Sequence, residues 1–272
     1  MYILNIILLS ISLLTNHSIT QQANMSVLVQ NMTTGEVIDE YRADNVVPPA
    51  SVMKLLTTGA VLEMYGPDFR IPTTLEHSAP INNGILQGNL YIHGACDPSL
   101  GWKGKTSFLY QWAKALRNQG IRKIDGAVVA DMTILDTEAQ NPAWLCEDAG
   151  NYYAPGIFGL NYYGNTMNIV LQSGEPGTIA KVVRTEPQVE GLYFINHVRC
   201  DKIAYDGAFV SGMPFSRERY LSGAVPSKLG VFGVKGDLPN PGLLLAQHFT
   251  RVLREVGITV TQEPSYEADY NP

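Results

Sequence analysis

The sequence predicts a mixed helix-and-sheet protein of the α/β (α+β) class. Short β-branched and aromatic runs recur along the chain, separated by Gly, Pro and Asn turns. Three segments have helical length and apolar spacing instead: Ser51–Tyr65, Ser107–Gln119 and Pro241–Val256. The strands and helices do not alternate regularly, so a doubly wound parallel sheet is not expected. No internal repeat or low-complexity segment interrupts the pattern.

The elements follow in chain order. Ile3–Leu14 (ILNIILLSISLL) is an apolar run too short to span a bilayer but of the length of a signal-peptide core. No Lys or Arg precedes Arg42, and Ser18-Ile-Thr20 is a weak cleavage site, so a packed N-terminal helix competes with the export reading. Met25–Gln30 and Glu36–Tyr41 flank the turn Asn31–Gly35 and predict a β-hairpin. Val46–Ala50 is extended, because residues before proline avoid the α region. Ser51–Tyr65 is a helix stopped by Gly66-Pro67. Apolar groups surround it, which predicts burial in the centre of a domain.

Gly84–His93 predicts a hairpin or strand pair, and Ser107–Gln119 a helix ending at Gly120. Ala127–Ala130 (AVVA) is a short buried strand. Trp144–Asn168 is a loop dense in Tyr, Asn and Gly. Ile169–Leu171, Ala180–Arg184 and Tyr193–Val198 are further strands. Pro241–Val256 is an amphipathic helix ended by Gly257 and followed by the strand Ile258–Thr261.

With 272 residues, 45% hydrophobic and 16% charged, the chain can form one large domain or two smaller ones. A net charge of −6 with no basic stripe argues against a nucleic-acid partner. Cys96, Cys146 and Cys200 are widely spaced with no C-x-x-C pair, which makes zinc or redox-motif chemistry a poor reading. Free thiols and, in an exported chain, a single bridge both remain open. The histidines are scattered without an H-E-x-x-H pattern. No G-x-S-x-G elbow is present. Gly104-Lys105-Thr106 imitates the end of a phosphate-binding loop, but its first glycine would fall at Ser99.

The chemistry concentrates in Ser51-Val-Met-Lys54 at a helix start. Residues three apart share a helix face, so hydroxyl and amine can meet. A serine is a poor nucleophile until a base takes its proton. Desolvation on an apolar helix favours the neutral amine, which can serve as that base. The helix N-terminus favours a developing oxyanion. S-x-x-K alone is also met as an N-cap serine followed by a surface lysine. The flanking Pro-Pro-Ala and the apolar neighbours Met53 and Leu55 distinguish this instance.

The segment PPASVMKLLTTGAVLEMYGPDFR resembles the nucleophile region of DacB-type D-alanyl-D-alanine carboxypeptidases/endopeptidases, which are low-molecular-mass penicillin-binding proteins. SVLVQNMTTGEVIDEY resembles their first two strands, and Gly88–Leu100 (GNLYIHGACDPSL) their GxLYI-x-G-x-x-DP-x-L segment. Trp144–Asp148 followed by Asn151-Tyr-Tyr153 resembles their W-x-x-[DE]-D and YY element. The resemblance runs from about residue 25 to the last residues. It implies a serine transpeptidase/β-lactamase-like domain, incomplete, with a large β-rich insertion after the nucleophile helix. Implied boundaries are a signal segment at 1–20, the first part of the catalytic domain at 21–72, inserted domains at 73–237 and a truncated return at 238–272.

The resemblance further implies Ser51 as nucleophile, Lys54 as general base and Asp148 facing the substrate's amino end; a solvated loop carboxylate is the plainer reading of Asp148. The implied substrates are peptidoglycan peptides ending in D-Ala-D-Ala, with β-lactams as covalent inhibitors. No metal or organic cofactor is expected, nor any nucleic acid, and peripheral membrane association is left open. The implied location is the periplasm or cell envelope. The family also uses S-x-N and K-T-G motifs. No S-x-N occurs here; Tyr163-Gly-Asn165 and Lys105-Thr-Ser107 imitate the later motifs but fall inside the inserted region. The expectation is therefore a truncated or fragmentary member, with a non-catalytic peptidoglycan- or penicillin-binding module as the alternative.

Overall fold

The computed structural model describes residues 11–135 and 138–268, so residues 3–10 of the apolar run expected to be an export segment lie outside the described residues. The chain divides into two compact units, Met1–Phe69 and Arg70–Pro272.

In the first unit a short helix, α1 (Ser18–Gln22), precedes the expected hairpin. Strands β1 (Val27–Gln30) and β2 (Val37–Tyr41) pair antiparallel, with Val27 opposite Tyr41 and Leu28 opposite Glu40. Asn31 fixes the turn. Its side-chain oxygen accepts from the backbone N–H groups of Thr33 and Thr34, and Gly35 supplies the left-handed residue at φ 75°. A 3₁₀ turn, Ala50–Val52, leads into α2 (Met53–Tyr65), which ends where the N–H of Gly66 donates to Leu62.

The expected burial of this helix is not found: none of its residues is buried. The described residues of the first unit form a two-stranded sheet and no further one, and no residue among 11–69 is buried. A single hairpin cannot cover a helix that is apolar on every side.

The second unit carries the rest. Its first half contains β3 (Thr74–Glu76), β4 (Ile81–Asn82), β5 (Ile85–Leu86), β6 (Leu90–His93), α3 (Ser107–Asn118), β7 (Lys123–Ile124) and β8 (Val128–Asp131). Then follow β9 (Thr166–Gln172), β10 (Lys181–Glu186), β11 (Tyr193–Asn196), β12 (Arg199–Asp201) and β13 (Gly207–Ser211). Next come β14 (Glu218–Pro226), β15 (Val231–Asp237), α4 (Pro241–Glu255), β16 (Thr259–Val260) and β17 (Ser265–Glu267).

Two sheets, ordered β17-β8-β6-β3 and β16-β7-β5-β4, pack with α3 and α4 around one core. Leu109, Ala113 and Leu116 form the buried stripe of α3 at helical spacing. Trp112 meets Phe249 of α4 edge-on, with ring centroids 5.5 Å apart. β8 is buried throughout, as its unbroken apolar run predicts. Residues 238–268, which the sequence assigns to a return into the catalytic domain, lie within this second unit. Leu244, Leu245, Phe249 and Leu253 share its core with Val128 and Leu116.

Gly84–His93 is not one hairpin. β5 pairs with β4 and β7, whereas β6 pairs with β3 and β8. The chain crosses between sheets at Gly88, and a Cβ there would sit 2.9 Å from the Cβ of Ala79. The remaining sheets, β10-β9-β15 and β11-β14-β12 with β13 on the other edge of β14, supply a second core. Its members Met167, Ile169 and Leu171 alternate along β9.

Trp144–Asn168 is largely irregular, as expected, with 3₁₀ turns at Cys146–Asp148 and Tyr163–Asn165 before β9 begins. Backbone bonds tie this loop to two strands: Gly212 N–H to Ala149 at 3.1 Å and Asp237 N–H to Gly150 at 2.9 Å. Among the described residues no helix is long and apolar enough to cross a membrane.

Candidate active site

Ser51 lies in the 3₁₀ turn and Lys54 in the first turn of α2. The Lys54 ammonium donates to Ser51 Oγ at 2.9 Å. This is the contact that i, i+3 spacing predicts. Thr58 Oγ1 donates to the carbonyl of Lys54 at 2.7 Å, which anchors the same face one turn on.

Ala50, immediately before the serine, has φ 44°, a left-handed conformation that costs a residue with a Cβ about 1–2 kcal/mol. Strain of this kind persists where the surroundings over-determine it, and it is concentrated at functional sites. The sequence carries only an indirect signal of it, in the two prolines at 48 and 49 that restrict the approach.

The chemistry available to the pair depends on solvent. Both side chains are exposed, so the desolvation expected for Lys54 is not supplied by any described residue. As an ammonium, Lys54 can only donate to Ser51 Oγ. The same geometry reverses roles once the amine is neutral, because the hydroxyl then donates to nitrogen.

Asp148 belongs to the second unit and is half-buried at the end of its 3₁₀ turn. Tyr153 donates its hydroxyl to Asp148 Oδ1 at 2.9 Å, and that bond raises the tyrosine's pKa. The backbone carbonyl of Asp148 accepts from Asn151 N–H at 3.0 Å. The carboxylate is half-buried and has one oxygen engaged.

Two motif imitations resolve structurally. Asn165 of Tyr163-Gly-Asn165 is buried, donating to Gly156 O and Asn161 Oδ1 and accepting from Tyr162 N–H. It closes a turn and leaves no group free for catalysis. Lys105 and Thr106 lie in the second unit, at the approach to α3. All three cysteines are free thiols, Cys200 buried and Cys146 exposed.

The model of the D-Ala-D-Ala carboxypeptidase 3 (S13) family matches residues 10–266. A D-alanyl-D-alanine carboxypeptidase DacB from Haemophilus influenzae is 24% identical over 247 residues, 87% of this chain and 49% of the relative. A D-alanyl-D-alanine carboxypeptidase from an Actinomadura species is 33% identical over 135 residues, 49% of this chain and 24% of the relative. The crystal structure of penicillin binding protein 4 (DacB) from Haemophilus influenzae superposes with a TM-score of 0.72 at 23% identity, covering 91% of this chain and 54% of that one. The same protein complexed with a β-lactam gives a TM-score of 0.67 at 22% identity. This chain spans about half the length of the curated Haemophilus relative. The family match extends over nearly every described residue and includes Ser51, Lys54 and Asp148: the chain belongs to the D-Ala-D-Ala carboxypeptidase 3 (S13) family.

Proposed function

We propose that this chain carries the nucleophile of a serine-type D-Ala-D-Ala carboxypeptidase that acts on peptidoglycan stem peptides, with endopeptidase action on cross-links as an extension of the same chemistry. The supporting observation is the 2.9 Å contact between Lys54 Nζ and Ser51 Oγ at a helix start, in a chain of this family. Neutral Lys54 takes the Ser51 proton, and Oγ attacks the carbonyl of the penultimate D-Ala. The C–N bond breaks, D-alanine leaves with the proton, and water later hydrolyses the acyl ester. Asp148, oriented by Tyr153, would receive the amino end of the stem. We place the activity in the periplasm or cell envelope, where such peptides occur, with Ile3–Leu14 as the export segment.

The test is intact-mass spectrometry after incubation with benzylpenicillin. A single covalent adduct is expected on the parent chain, and none on Ser51→Ala with its circular dichroism unchanged. An adduct that persists in Ser51→Ala would remove Ser51 from the mechanism. A folded parent that forms no adduct favours the non-catalytic binding module.

A further inference from the structure

Within the second unit lies a groove of about 630 Å³ lined by Trp102, Lys103, Tyr152, Tyr163, Glu186 and Lys235 among others. Trp102 is 51% exposed and Tyr152 49% exposed, so two large aromatic side chains stand at its walls without cover. Trp102 rests on backbone: a Cβ on Gly164 would lie 2.4 Å from its Cζ3. The Tyr163 N–H donates to the Leu100 carbonyl at 3.1 Å, joining the two turns that carry Trp102 and Tyr163. Three non-glycine residues in these turns, Lys103, Tyr163 and Asn165, take left-handed φ of 53°, 59° and 53°. Such strain is tolerated where it positions side chains for a task.

The charges point the same way. Lys235 Nζ sits 5.5 Å from the centre of the Tyr152 ring. Neither it nor Lys103 belongs to any ion pair among the described residues. Glu186, the acid of the groove, is taken by Arg184, whose Nε lies 3.0 Å away. The groove therefore offers rigid aromatic faces beside two uncompensated ammonium groups, in a chain whose net charge is −6. Tyr152 of its wall meets Tyr153 edge-on at 5.4 Å, and Tyr153 in turn donates to Asp148.

We propose that this groove is a saccharide subsite for an acidic amino sugar. The apolar C–H faces of pyranose rings stack on Trp102 and Tyr152, and Lys103 and Lys235 bind a carboxylate carried by the sugar. The choice of a cell-wall glycan as the source of that sugar rests on the function proposed above; the groove chemistry itself does not. In a peptide-bearing strand the muramic acid carboxyl is tied up as an amide, so the occupant is a stretch of glycan from which the stem peptide has been removed.

The probes are the disaccharide N-acetylglucosaminyl-N-acetylmuramic acid, which carries the carboxylate, and neutral chitotriose. Each is titrated into the full chain by ligand-observed NMR. Both should bind, the acidic sugar more tightly. Trp102→Ala should weaken both by about tenfold, the loss of one aromatic contact. Lys235→Gln should weaken the acidic sugar by about threefold and leave chitotriose unchanged. If Trp102→Ala unfolds, Trp102→Phe, which keeps a stacking ring, and Lys235→Gln decide. No binding of either sugar overturns the proposal, as does parental affinity in Trp102→Ala and Lys235→Gln, or displacement of the sugar by an oligothymidylate. Penicillin acylation of Ser51, measured on the same preparations, separates the two readings. Acylation without sugar binding defeats this inference alone, and sugar binding without acylation defeats the carboxypeptidase reading alone.

Discussion

A lysine that must lose a proton to act cannot be exchanged for an arginine, and this isolates what Lys54 does. Lys54→Arg keeps the positive charge and can still donate to Ser51 Oγ, but a guanidinium stays protonated at any working pH. If the 2.9 Å contact is a base in waiting, Lys54→Arg should slow penicillin acylation by about 10²–10⁴-fold, as the loss of a general base does. If the contact merely orients the serine, the arginine variant should acylate within a few-fold of the parent, and stopped-flow rates will tell the two apart. The contact itself is legible in the sequence, because three-residue spacing on a helix admits little else. The solvent around it is not. Met53, Leu55 and Leu56 show that the helix has apolar surface on every side, yet hydropathy says nothing about which residues cover it. In this chain Leu55 and Leu56 are each 70% exposed. The left-handed Ala50 was equally hidden, since alanine carries no marker for positive φ.

Single elements show a second limit of local reading. β14 goes unrecognised in the sequence because its inward positions include Arg219 beside Leu221 and Val225, so apolar alternation is broken. The structure explains the arginine. Arg219 Nε lies 3.0 Å from Asp237 Oδ1 of β15, with side-chain exposures of 0% and 1%. Burial lowers the Arg219 pKa and pushes the Asp237 carboxyl up to about 6, each against the pull of its partner. Breaking such a pair strands a buried charge, so Arg219→Met should cost about 3–5 kcal/mol in urea unfolding of the second unit. The double variant Arg219→Met, Asp237→Leu should recover most of that loss; equal destabilisation of single and double variants would mean that packing, not charge, is at stake.

His248 on α4 gives an element-scale pH dependence. Burial lowers its pKa to about 4, with nearby Arg251 adding to the effect, and its Nδ1 lies 3.1 Å from the Tyr162 hydroxyl. Between the ordinary value of about 6.5 and this one, the unfolded chain binds the proton and the folded chain does not. The contribution of His248 to the stability of the second unit is therefore fully present above pH 6.5 and declines as pH falls toward 4, whereas Asp237, with its carboxyl raised to about 6, contributes with the opposite sign over the lower part of that window. His248→Gln should flatten that decline in thermal melts across the same window; an unchanged slope would remove His248 as its source.

At the scale of the whole molecule, the two units differ in what holds them together. The second contains two buried clusters, each built on its own pair of sheets, and its fold class was legible because strand runs and helix stripes are properties of short segments. Which strands pair was less so: β5 and β6 adjoin in sequence but go to different sheets, a decision made by contacts with β7 and β8 some thirty-eight residues on. Among its described residues the first unit has none that is buried. Its helix of 13 residues is of the length at which isolated helices, about 12–15 residues, are marginal in water, and its hairpin has no third strand. Opening of the first unit should then cost close to nothing, while opening of the second approaches its global stability. In hydrogen-exchange mass spectrometry, peptides covering 53–65 should exchange within seconds, and those covering 128–131, 166–172 and 241–255 should be protected by about 10³-fold or more. Strong protection of 53–65 would show that the helix is covered in solution. Were that protection to grow with protein concentration, a second copy would be the cover, and the same cover would supply the desolvation that Lys54 needs to give up its proton.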